Sequence, residues 1–308
     1  MKPEYAIIIK NKTRLESLIE RFNTRAQAQF YVERSGSNWI DYEQEHAAFH
    51  LALSEVQKRL STVIRNKIVD RSFLPSFLFA TNQLVIVLGQ DGLVANTAKY
   101  LNGMPMVAVN PDASRYDGVL LPFVPNDFMA GVKHVMQNEY VCRTCTLAEA
   151  SLNDGQRMLA FNDFFIGPSS HTSARYRLTY KGKEEEQSSS GIIVSTSTGA
   201  TGWLSSVYHM TNGMNRFGGR RGKELQGMVN DDQLMFVVRE PFLSKHSQAN
   251  MVAGLLERGE MLSIESHMPE QGRIFSDGIE SDFLNFNSGT IARIGIAKEE
   301  ARLVIKTN

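Results

Sequence analysis

Short apolar runs alternate with longer helical patterns in the first 125 residues. Three runs rich in β-branched residues are predicted to be buried strands, at residues 5–9, 84–88 and 106–109. Helices are predicted over residues 15–60, with a polar interruption near 35–38, and over residues 93–101. Strands that alternate with helices in this order are typical of a parallel sheet covered by helices, so the sequence predicts an α/β domain.

The pattern changes after about residue 125. Helices are predicted over residues 127–137 and 203–210, but strands dominate the rest of the chain. These short predicted strands cover residues 140–147, 159–161, 175–180, 192–194, 234–238 and 261–265. Gly, Ser, Asn and Asp in the intervening turns favour antiparallel β structure. We therefore predict two domains, an α/β domain at residues 1–128 and a β-rich domain at residues 129–308.

Composition then excludes several classes of protein. The 308 residues include 33 Lys and Arg and 33 Asp and Glu, so the formal charge is zero, whereas a protein that binds duplex DNA usually carries a basic surplus. No apolar stretch approaches the roughly 20 residues that a membrane-spanning helix needs. Cys142 and Cys145 are the only cysteines, too few for a secreted disulfide framework. We expect a cytoplasmic protein that binds neither nucleic acid nor membranes.

The first candidate site is a turn, Gly89-Gln90-Asp91-Gly92, between a predicted strand and a predicted helix. Ligands of parallel sheets bind at the carboxyl ends of strands, where glycines and a helix amino end present backbone N–H groups to phosphate. A carboxylate there would repel phosphate unless it binds Mg²⁺ or acts as a general base toward a hydroxyl group. Asp91 is therefore the candidate catalytic residue. The alternative is a tight structural turn, which Asp and Gly also favour.

The second candidate site is a run of hydroxyl-bearing and small residues at positions 195–201, called here the hydroxyl-rich run. It follows the predicted strand at 192–194 and precedes the predicted helix at 203–210. Its hydroxyl and backbone groups could donate several hydrogen bonds to a phosphorylated ligand. A Ser/Thr-rich surface loop is the alternative, but such loops seldom follow a buried strand so directly, so we favour ligand binding.

Together the two sites resemble the NAD kinase family, whose members transfer the terminal phosphate of ATP to a ribose hydroxyl of NAD. That family has Gly-Gly-Asp-Gly-Thr after a strand, then Asn-Glu, and later Asp-Gly followed by Ser-Thr-Pro-Thr-Gly-Ser-Thr-Ala-Tyr. The corresponding segments occur here in the same order: Gly89-Gln90-Asp91-Gly92-Leu93, Asn162-Asp163, and Ser190-Gly191 followed by Ser195-Thr196-Ser197-Thr198-Gly199-Ala200-Thr201-Gly202-Trp203.

Further segments look like the mitochondrial-type branch of that family, so the resemblance spans nearly the whole chain. They are Lys10-Asn11-Lys12-Thr13-Arg14, Asn110-Pro111-Asp112, Asn162-Asp163-Phe164-Phe165-Ile166-Gly167, Ser189-Ser190-Gly191 and Arg239-Glu240-Pro241. A late Ser276-Asp277-Gly278 also matches an Asp-Gly that recurs near the family's carboxyl end.

The resemblance implies a Rossmann-like parallel α/β domain and a second, mainly β domain, with the active site in the cleft between them and the last residues returning to the first domain. Asp91 would activate or position the accepting hydroxyl, and Mg²⁺ would bind with ATP near it. The implied nucleotide-binding residues are Gly89, Gly92, Asn110, Asn162, Asp163, Thr198, Gly199, Thr201, Gly202, Trp203 and Ser206. Lys10 and His246 are candidate phosphate contacts, although Lys10 could equally be a solvated lysine.

The resemblance also implies a substrate, a donor and an assembly. NAD would be the substrate, ATP or polyphosphate the donor, and the protein a homodimer or homotetramer whose other partners are small-molecule nucleotides. In that setting the expected reaction is phosphorylation of the 2′-hydroxyl of the adenosine ribose of NAD.

The chain departs from the family pattern at several positions. Gln90 replaces a glycine and adds bulk, and Leu93 replaces a threonine whose hydroxyl could bind phosphate with roughly 1.5–3 kcal/mol. Asp163 stands in place of Glu, and Trp203 in place of Tyr. Two alternatives therefore stay open: a nucleotide-binding homologue with little kinase activity, and a kinase for another hydroxyl acceptor such as a sugar or a lipid.

Two more features of the sequence are candidate sites. His46 and His50 share one face of a predicted helix at i and i+4, a spacing that would suit zinc. The sequence shows no further ligands, and the neighbouring residues 43–45 (Glu-Gln-Glu) favour a solvated surface. Residues 213–223, rich in Gly and Arg, are predicted to be a mobile surface loop, with a lid over phosphates as the alternative.

Overall fold

The computed structural model describes residues 3–219 and 224–306. The chain forms two structural units: one runs to Thr144 and resumes at Arg302, and the other spans Cys145–Ala301. The predicted boundary at residue 128 falls earlier than this division, at the start of a helix, Phe128–Gln137. That helix belongs to the first unit because its apolar face packs into the core of the first sheet.

The first unit is an α/β structure built on parallel strands. Its strands are β1 (Tyr5–Lys10), β2 (Arg65–Asp70), β3 (Gln83–Leu88) and β4 (Pro105–Val109), and its helices are α1 (Arg14–Phe22), α2 (Arg25–Arg34), α3 (Trp39–Ser61), α4 (Asp91–Ala98) and α5 (Phe128–Gln137). All the pairings are parallel and give the order β2-β1-β3-β4. Arg302 and Leu303, near the end of the last strand, add a further parallel pairing beside β4.

The predicted strands β1, β3 and β4 are confirmed, and β2 was missed. In β1 and β3 the central residues are almost fully buried, because helices cover both faces of the sheet. In β2, whose sequence is RNKIVD, only Val69 is buried. As an edge strand it needs no apolar run, so its sequence gave no strand signal.

The predicted helical stretch 15–60 is divided twice. The break near residues 35–38 is confirmed, and Asn38 caps the amino end of α3 through a hydrogen bond from Ile40 N–H. A second break was missed at Asn23, which adopts a left-handed conformation (φ 62°) and ends α1. Thr24 then accepts a hydrogen bond from Gln27 N–H and caps α2.

The second unit is mainly antiparallel β structure. Its elements are β5 (Cys142–Leu152), which begins just before the unit, β6 (Arg157–Ala160), β7 (Asp163–Pro168), β8 (Ala174–Tyr180), β9 (Lys183–Ser189), β10 (Ile192–Thr196), α6 (Trp203–Phe217), β11 (Gln233–Val238), β12 (Ala253–Glu257), β13 (Leu262–Ser266), β14 (Gly272–Ser276), β15 (Phe283–Asn285) and β16 (Ile291–Val304). One sheet has the order β12-β11-β10-β7-β14-β15. In the other, β13 pairs with β8 and with the first part of β16, and β8 pairs with β9. Side chains of both sheets share one apolar core.

The segment 181–190 differs from the solvated hairpin tip that its Lys, Glu and Ser residues predict. Lys181 and Gly182 form a turn, and residues 183–189 are strand β9. Glu185, Gln187 and Ser189 alternate inward and are buried. Their polar groups are satisfied there, for example by the backbone N–H groups of Asn250 and Met251, which donate to Glu185. A polar strand can therefore be buried when each inward side chain has a partner.

The predicted fold class, a parallel α/β domain followed by a mainly β domain, is confirmed. Among the described helices, none combines the length and the hydrophobicity that a bilayer-spanning segment requires.

Candidate functional site

A cavity of about 540 Å³ opens at the carboxyl ends of the parallel strands in the first unit. We call it the cation-lined cavity. Asn11 follows β1, Gly89 follows β3 and Pro111 lies just after β4, and all three line it. In the order β2-β1-β3-β4, the chain leaves β1 toward one side and β3 toward the other. Open α/β sheets bind ligands at this kind of switch point.

Four basic residues line this cavity: Lys12, Arg14, Arg21 and Arg71. Arg14 forms an ion pair with Glu45, and Lys12 forms one with Glu20 at 2.6 Å. Arg71 is half-buried and makes no ion pair within residues 3–219 and 224–306. Arg21, which is exposed, likewise makes no ion pair with a described residue, so both guanidinium charges are available to an anionic ligand.

Sequence reasoning missed Arg71 because it missed β2. Arg71 is the first residue after β2, the position that Asn11 holds after β1 and Gly89 holds after β3. Since the carboxyl ends of parallel strands lie at one edge of a sheet, recognition of the RNKIVD strand would have placed Arg71 at the site.

The two glycines of the 89–92 turn differ in the space around them. A Cβ atom at Gly89 would lie 2.7 Å from Cδ2 of Leu93, so a larger residue there would displace the Leu93 side chain. A Cβ at Gly92 would meet nothing within 4 Å, so packing does not explain this glycine. Leu93 points inward and is buried. Gln90 is exposed and lines the cavity, as does Tyr116.

Asp91 is the first residue of α4 and is half-buried. Its Oδ1 accepts a hydrogen bond of 2.7 Å from the backbone N–H of Leu120. That bond fixes the orientation of the carboxylate and leaves Oδ2 without a hydrogen bond from any described residue. The geometry suits either a general base or a ligand of a hard cation.

The other predicted residues of the first unit have partners of their own. Lys10 lies at the end of β1, with its Nζ 3.7 Å from Asp70 and 3.9 Å from Glu16. Asn110 is buried, and its amide donates to Tyr116 O and accepts from Asp112 N–H. Neither Lys10 nor Asn110 lines the cation-lined cavity. In this structure Asn110 orders the loop that follows β4.

In the second unit, one carboxylate brings two predicted segments together. The carboxylate of Asp277, a residue with φ 55°, accepts hydrogen bonds from the backbone N–H groups of Phe161, Asn162 and Asp163. The nearest of these distances is 2.6 Å, from Asn162 N. Asp277 thereby fixes the turn that presents Asn162 and Asp163. The late Ser276-Asp277-Gly278 segment is thus adjacent to Asn162-Asp163 in space.

Asp163 is buried beside Asp277, and its acidity changes as a result. Burial, followed by the nearby charge of Asp277, raises the pKa of Asp163 from 3.8 to about 7. Near neutral pH this side chain can therefore be present as a neutral acid, which donates a hydrogen bond, or as a carboxylate, which only accepts.

Asp163 gives the protein a pH-dependent stability that Asp163→Asn should remove. The folded pKa is raised above the unfolded value, so stabilisation by the protonated form is complete below pH 4 and is lost as the pH rises through about 7. We expect the free energy of unfolding of the variant, relative to wild type, to increase by up to about 4 kcal/mol between pH 4 and 8. Urea unfolding at several pH values measures this difference, and parallel pH profiles for the two proteins would contradict it.

The hydroxyl-rich run is held against the Asn162 turn. Thr196 Oγ1 donates to Phe161 O at 2.7 Å, and Gly199 N–H donates to Thr196 Oγ1. A Cβ at Gly199 would lie only 2.1 Å from the carbonyl oxygen of Asn162, so only glycine fits there. Thr201 and Gly202 are exposed at the amino end of α6, and Thr198 is half-buried.

An aromatic cavity of about 860 Å³ lies in the second unit. Its lining contains the rings of Phe165, Trp203 and Phe275. Trp203 stacks on Phe165 with ring centroids 5.7 Å apart and planes inclined by 16°, and the Arg239 guanidinium lies 5.3 Å from the Trp203 ring centroid. Serine and threonine hydroxyls form much of the remaining wall, from Ser169, Ser170, Thr172, Ser173, Ser189 and Ser190. Flat rings with hydroxyls around them can stack a base and bind a sugar.

Known proteins resemble this chain in part of its sequence and in its fold. No model of a known protein family matches the chain. An NAD kinase from Chlorobaculum tepidum is 27% identical over 125 residues, which cover 40% of this chain and 43% of that protein. The match therefore spans less than half the length of this curated relative.

Solved structures extend the likeness to the whole chain. Yeast NADH kinase, crystallised with NADH, matches with a TM-score of 0.60 and 16% identity over 100% of this chain and 85% of its own. The fold of this chain is therefore similar to that of NAD and NADH kinases. An NAD kinase from Archaeoglobus fulgidus, crystallised with ATP, matches with a TM-score of 0.54 and 14% identity over 97% of this chain and 92% of its own. The predicted NAD kinase resemblance is confirmed, and the mitochondrial-type branch stays a prediction.

Within the NAD kinase fold, the remaining predicted residues have these positions. Trp203 and Ser206 both line a third, more apolar cavity of about 470 Å³ beside α6. His246 is exposed on the loop after β11, and its backbone N–H donates to Ser244 Oγ. Of the predicted Gly- and Arg-rich loop, residues 213–217 are instead the last turns of α6, and residues 220–223 lie outside the described part of the chain.

Proposed function

We propose that this protein is an NAD kinase that transfers the terminal phosphate of ATP, or a phosphate of polyphosphate, to the 2′-hydroxyl of the adenosine ribose of NAD, giving NADP. The observation that carries the proposal is the cation-lined cavity at the switch point of the parallel sheet, with Asp91 at the start of α4 beside it. The NAD kinase fold supports the choice of acceptor.

Phosphoryl transfer requires positioning and neutralisation of charge more than covalent chemistry. The amino end of α4 and the guanidinium of Arg71 are suited to bind phosphate oxygens. Oδ2 of Asp91 accepts the proton of the attacking hydroxyl, while Leu120 N–H holds Oδ1 in place. Gly92 leaves open space at the turn, so the backbone there can approach the phosphates.

Mg²⁺ fits the donor chemistry of this turn. Mg²⁺ prefers hard oxygen ligands, which the phosphates of bound ATP and water would supply, and the negative charge of the nearby Asp91 carboxylate would favour the ion there while Oδ2 stays free to accept the proton. When bound with ATP, the ion would neutralise charge on the transferred phosphate.

For the acceptor, we assign the dinucleotide to residues of the second unit. Trp203 and Phe165 offer ring faces for a base, and Asn162 and Asp163 offer polar groups for ribose hydroxyls. The hydroxyl-rich run, with Thr198, Gly199, Thr201 and Gly202, presents hydroxyl and backbone groups at the amino end of α6.

A coupled assay for NADP formation tests the proposal. Purified protein is incubated with NAD, Mg²⁺ and either ATP or polyphosphate, and NADP is detected with an NADP-specific dehydrogenase. Product with either donor supports the proposal. If calorimetry shows that NAD binds but neither donor yields NADP, the protein is the alternative named above, a nucleotide-binding homologue with little kinase activity. Phosphorylation of only a sugar or a lipid in an acceptor panel would support the other alternative.

One observation on the 89–92 turn favours the alternative of a nucleotide-binding homologue with little kinase activity. Leu93 is buried against Gly89, so the position where the NAD kinase pattern has a threonine hydroxyl contributes packing instead of a hydrogen bond. Gln90, which replaces a glycine, places a side chain at the cavity. The same assay therefore decides whether the altered turn still supports transfer.

Arg71→Gln should weaken use of the phosphate donor. Loss of a charge-assisted hydrogen bond of roughly 1.5–3 kcal/mol would raise the KM for ATP about 10- to 100-fold, while the KM for NAD changes little. The matched control is Arg25→Gln, which removes an exposed guanidinium, ion-paired with Glu43, from the same unit. Equal KM values for ATP in wild type and Arg71→Gln would show that Arg71 does not bind the phosphate donor.

We also propose a homodimer or homotetramer. Met210, Met214 and Phe217 share one face of α6 and are 55%, 67% and 91% exposed, which is unusual for large apolar side chains so close together. Met214→Glu should shift the sedimentation equilibrium toward monomer. A wild-type protein that is monomeric at micromolar concentrations would contradict this proposal. The cytoplasmic location stays a prediction.

A further inference from the structure

Glu16, His46 and His50 converge at the start of helix α1 and the middle of helix α3. One carboxylate oxygen and one ring nitrogen from each histidine all lie within 4.8 Å of one another. The two imidazole rings have centroids 4.3 Å apart, as expected for i and i+4 on a helix. Tertiary structure thus supplies a third group, Glu16, which lies thirty residues before His46 in the sequence.

The two carboxylate oxygens of Glu16 have separate surroundings. Oε2 accepts from Thr13 N–H at 2.8 Å in the capping box of α1, and Lys10 Nζ lies 3.9 Å from it. Oε1 faces His50 Nε2 at 3.1 Å. A tetrahedral zinc ion with bonds of roughly 2.0–2.1 Å separates its ligand atoms by about 3.3 Å, close to this distance. The capping role of Oε2 therefore leaves Oε1 available as a ligand.

The histidine rings are held in place and can be reached from solvent. Thr13 Oγ1 lies 2.9 Å from Nδ1 of His46, so the residue that caps α1 also orients this ring. The side chains of His50 and Glu16 are 40% and 27% exposed, which gives an ion a path into the cluster. An oriented ring and an entry path are both features of a functional metal site.

We propose that Glu16, His46 and His50 form a binding site for a divalent transition-metal ion of the zinc type. Two imidazoles and one carboxylate suit Zn²⁺ and its first-row neighbours, whereas Mg²⁺ prefers oxygen ligands throughout. Three protein ligands leave one coordination position for water. The site is thus distinct from the Mg²⁺ proposed at Asp91 and does not depend on kinase activity.

A bound ion would join α1 to α3 beside the cation-lined cavity. Arg14 and Glu45, an ion pair that lines this cavity, are sequence neighbours of Thr13 and His46. Coordination would replace the Glu16–His50 hydrogen bond with two stronger bonds to one ion. We therefore expect the metal to stabilise the folded protein, because an ion that binds only the native state shifts the folding equilibrium.

The experiment uses the full chain, freed of metal by dialysis against EDTA. Zn²⁺ is titrated by calorimetry, and Co²⁺ is titrated by visible absorption, since tetrahedral Co²⁺ has a distinctive spectrum. We expect one equivalent to bind, a rise in Tm with Zn²⁺, and no competition from millimolar Mg²⁺. His50→Gln should weaken Zn²⁺ binding by at least the roughly 10- to 100-fold that loss of an outer-shell partner costs.

Two further variants keep the test decisive. Glu16→Gln removes the carboxylate ligand, but glutamine can still complete the capping box, so the helix is retained. His134→Gln, a half-buried histidine on α5 in the same unit, is the matched control and should bind Zn²⁺ like wild type. If wild type, His50→Gln and Glu16→Gln all bind Zn²⁺ equally, or if none binds it, the proposal is overturned and the cluster is an ion pair between Glu16 and His50.

Discussion

Asp91→Asn should lower the rate of NADP formation at least about a hundredfold while the protein stays folded, since a positioned general base contributes roughly 10²–10⁴-fold to such reactions. The amide cannot take the proton of the attacking hydroxyl. Its Oδ1 can still accept the hydrogen bond from Leu120 N–H, so the turn and the start of α4 keep their structure. The loss should appear in kcat, with KM for ATP and NAD changed less.

The measurement is the coupled NADP assay at saturating NAD and ATP, with circular dichroism and thermal unfolding to confirm the fold. Asp117→Asn is the matched control, because Asp117 is an exposed acid on the loop just before Leu120 and carries no role in the proposed chemistry. Its kcat should equal that of wild type. Near-normal kcat in Asp91→Asn would show that Asp91 is not the general base, whichever acceptor the protein phosphorylates.

Gly199→Ala should destabilise the second unit by at least about 3 kcal/mol, at the upper end of the usual cost of overpacking. The added methyl would lie 2.1 Å from the Asn162 carbonyl oxygen and 2.7 Å from Ser195 Oγ. A backbone carbonyl cannot rotate away as a flexible side chain can. The Asn162 turn or the hydroxyl-rich run must therefore move, and nucleotide binding should be lost together with stability.

Chemical unfolding of Gly199→Ala beside Gly213→Ala measures this effect. Gly213 lies inside helix α6, and a Cβ there would meet nothing within 4 Å. That control should gain up to about 1 kcal/mol, since alanine is the better helix former. If Gly199→Ala unfolds at the same denaturant concentration as wild type, the close approach of Gly199 to Asn162 is not a feature of the folded protein.

Local sequence patterns predicted three strands of the first unit whose burial is uniform. β1, β3 and β4 are apolar on both faces, so each gives a continuous apolar run. β2 and β9 lack such runs, because one is an edge strand and the other buries polar side chains that have partners. β16, the longest strand, was missed for a related reason: its buried and exposed residues mix along fourteen positions.

The candidate functional residues also fall into two groups: those in contiguous motifs and those that become neighbours only on folding. The 89–92 turn and the hydroxyl-rich run are contiguous motifs, so the sequence alone identified Asp91 and Gly199. By contrast, Asp277 reaches the Asn162 turn from more than a hundred residues away, and Phe165, Phe275 and Trp203 meet in one cavity from three separate elements. The spacing of residues along the sequence does not predict such contacts.

The sequence by itself therefore determined the α/β and β domains, the NAD kinase resemblance and Asp91 as the candidate catalytic residue, since each depends on contiguous residues. Only the tertiary structure decided that Arg71 lines the cavity beside Asp91, that Asp163 is buried next to a second carboxylate, and that Glu16 joins His46 and His50. These features depend on which chain segments become neighbours on folding. Long-range pairing of strands and packing of helices determine which segments become neighbours, and short-range periodicity does not encode these contacts.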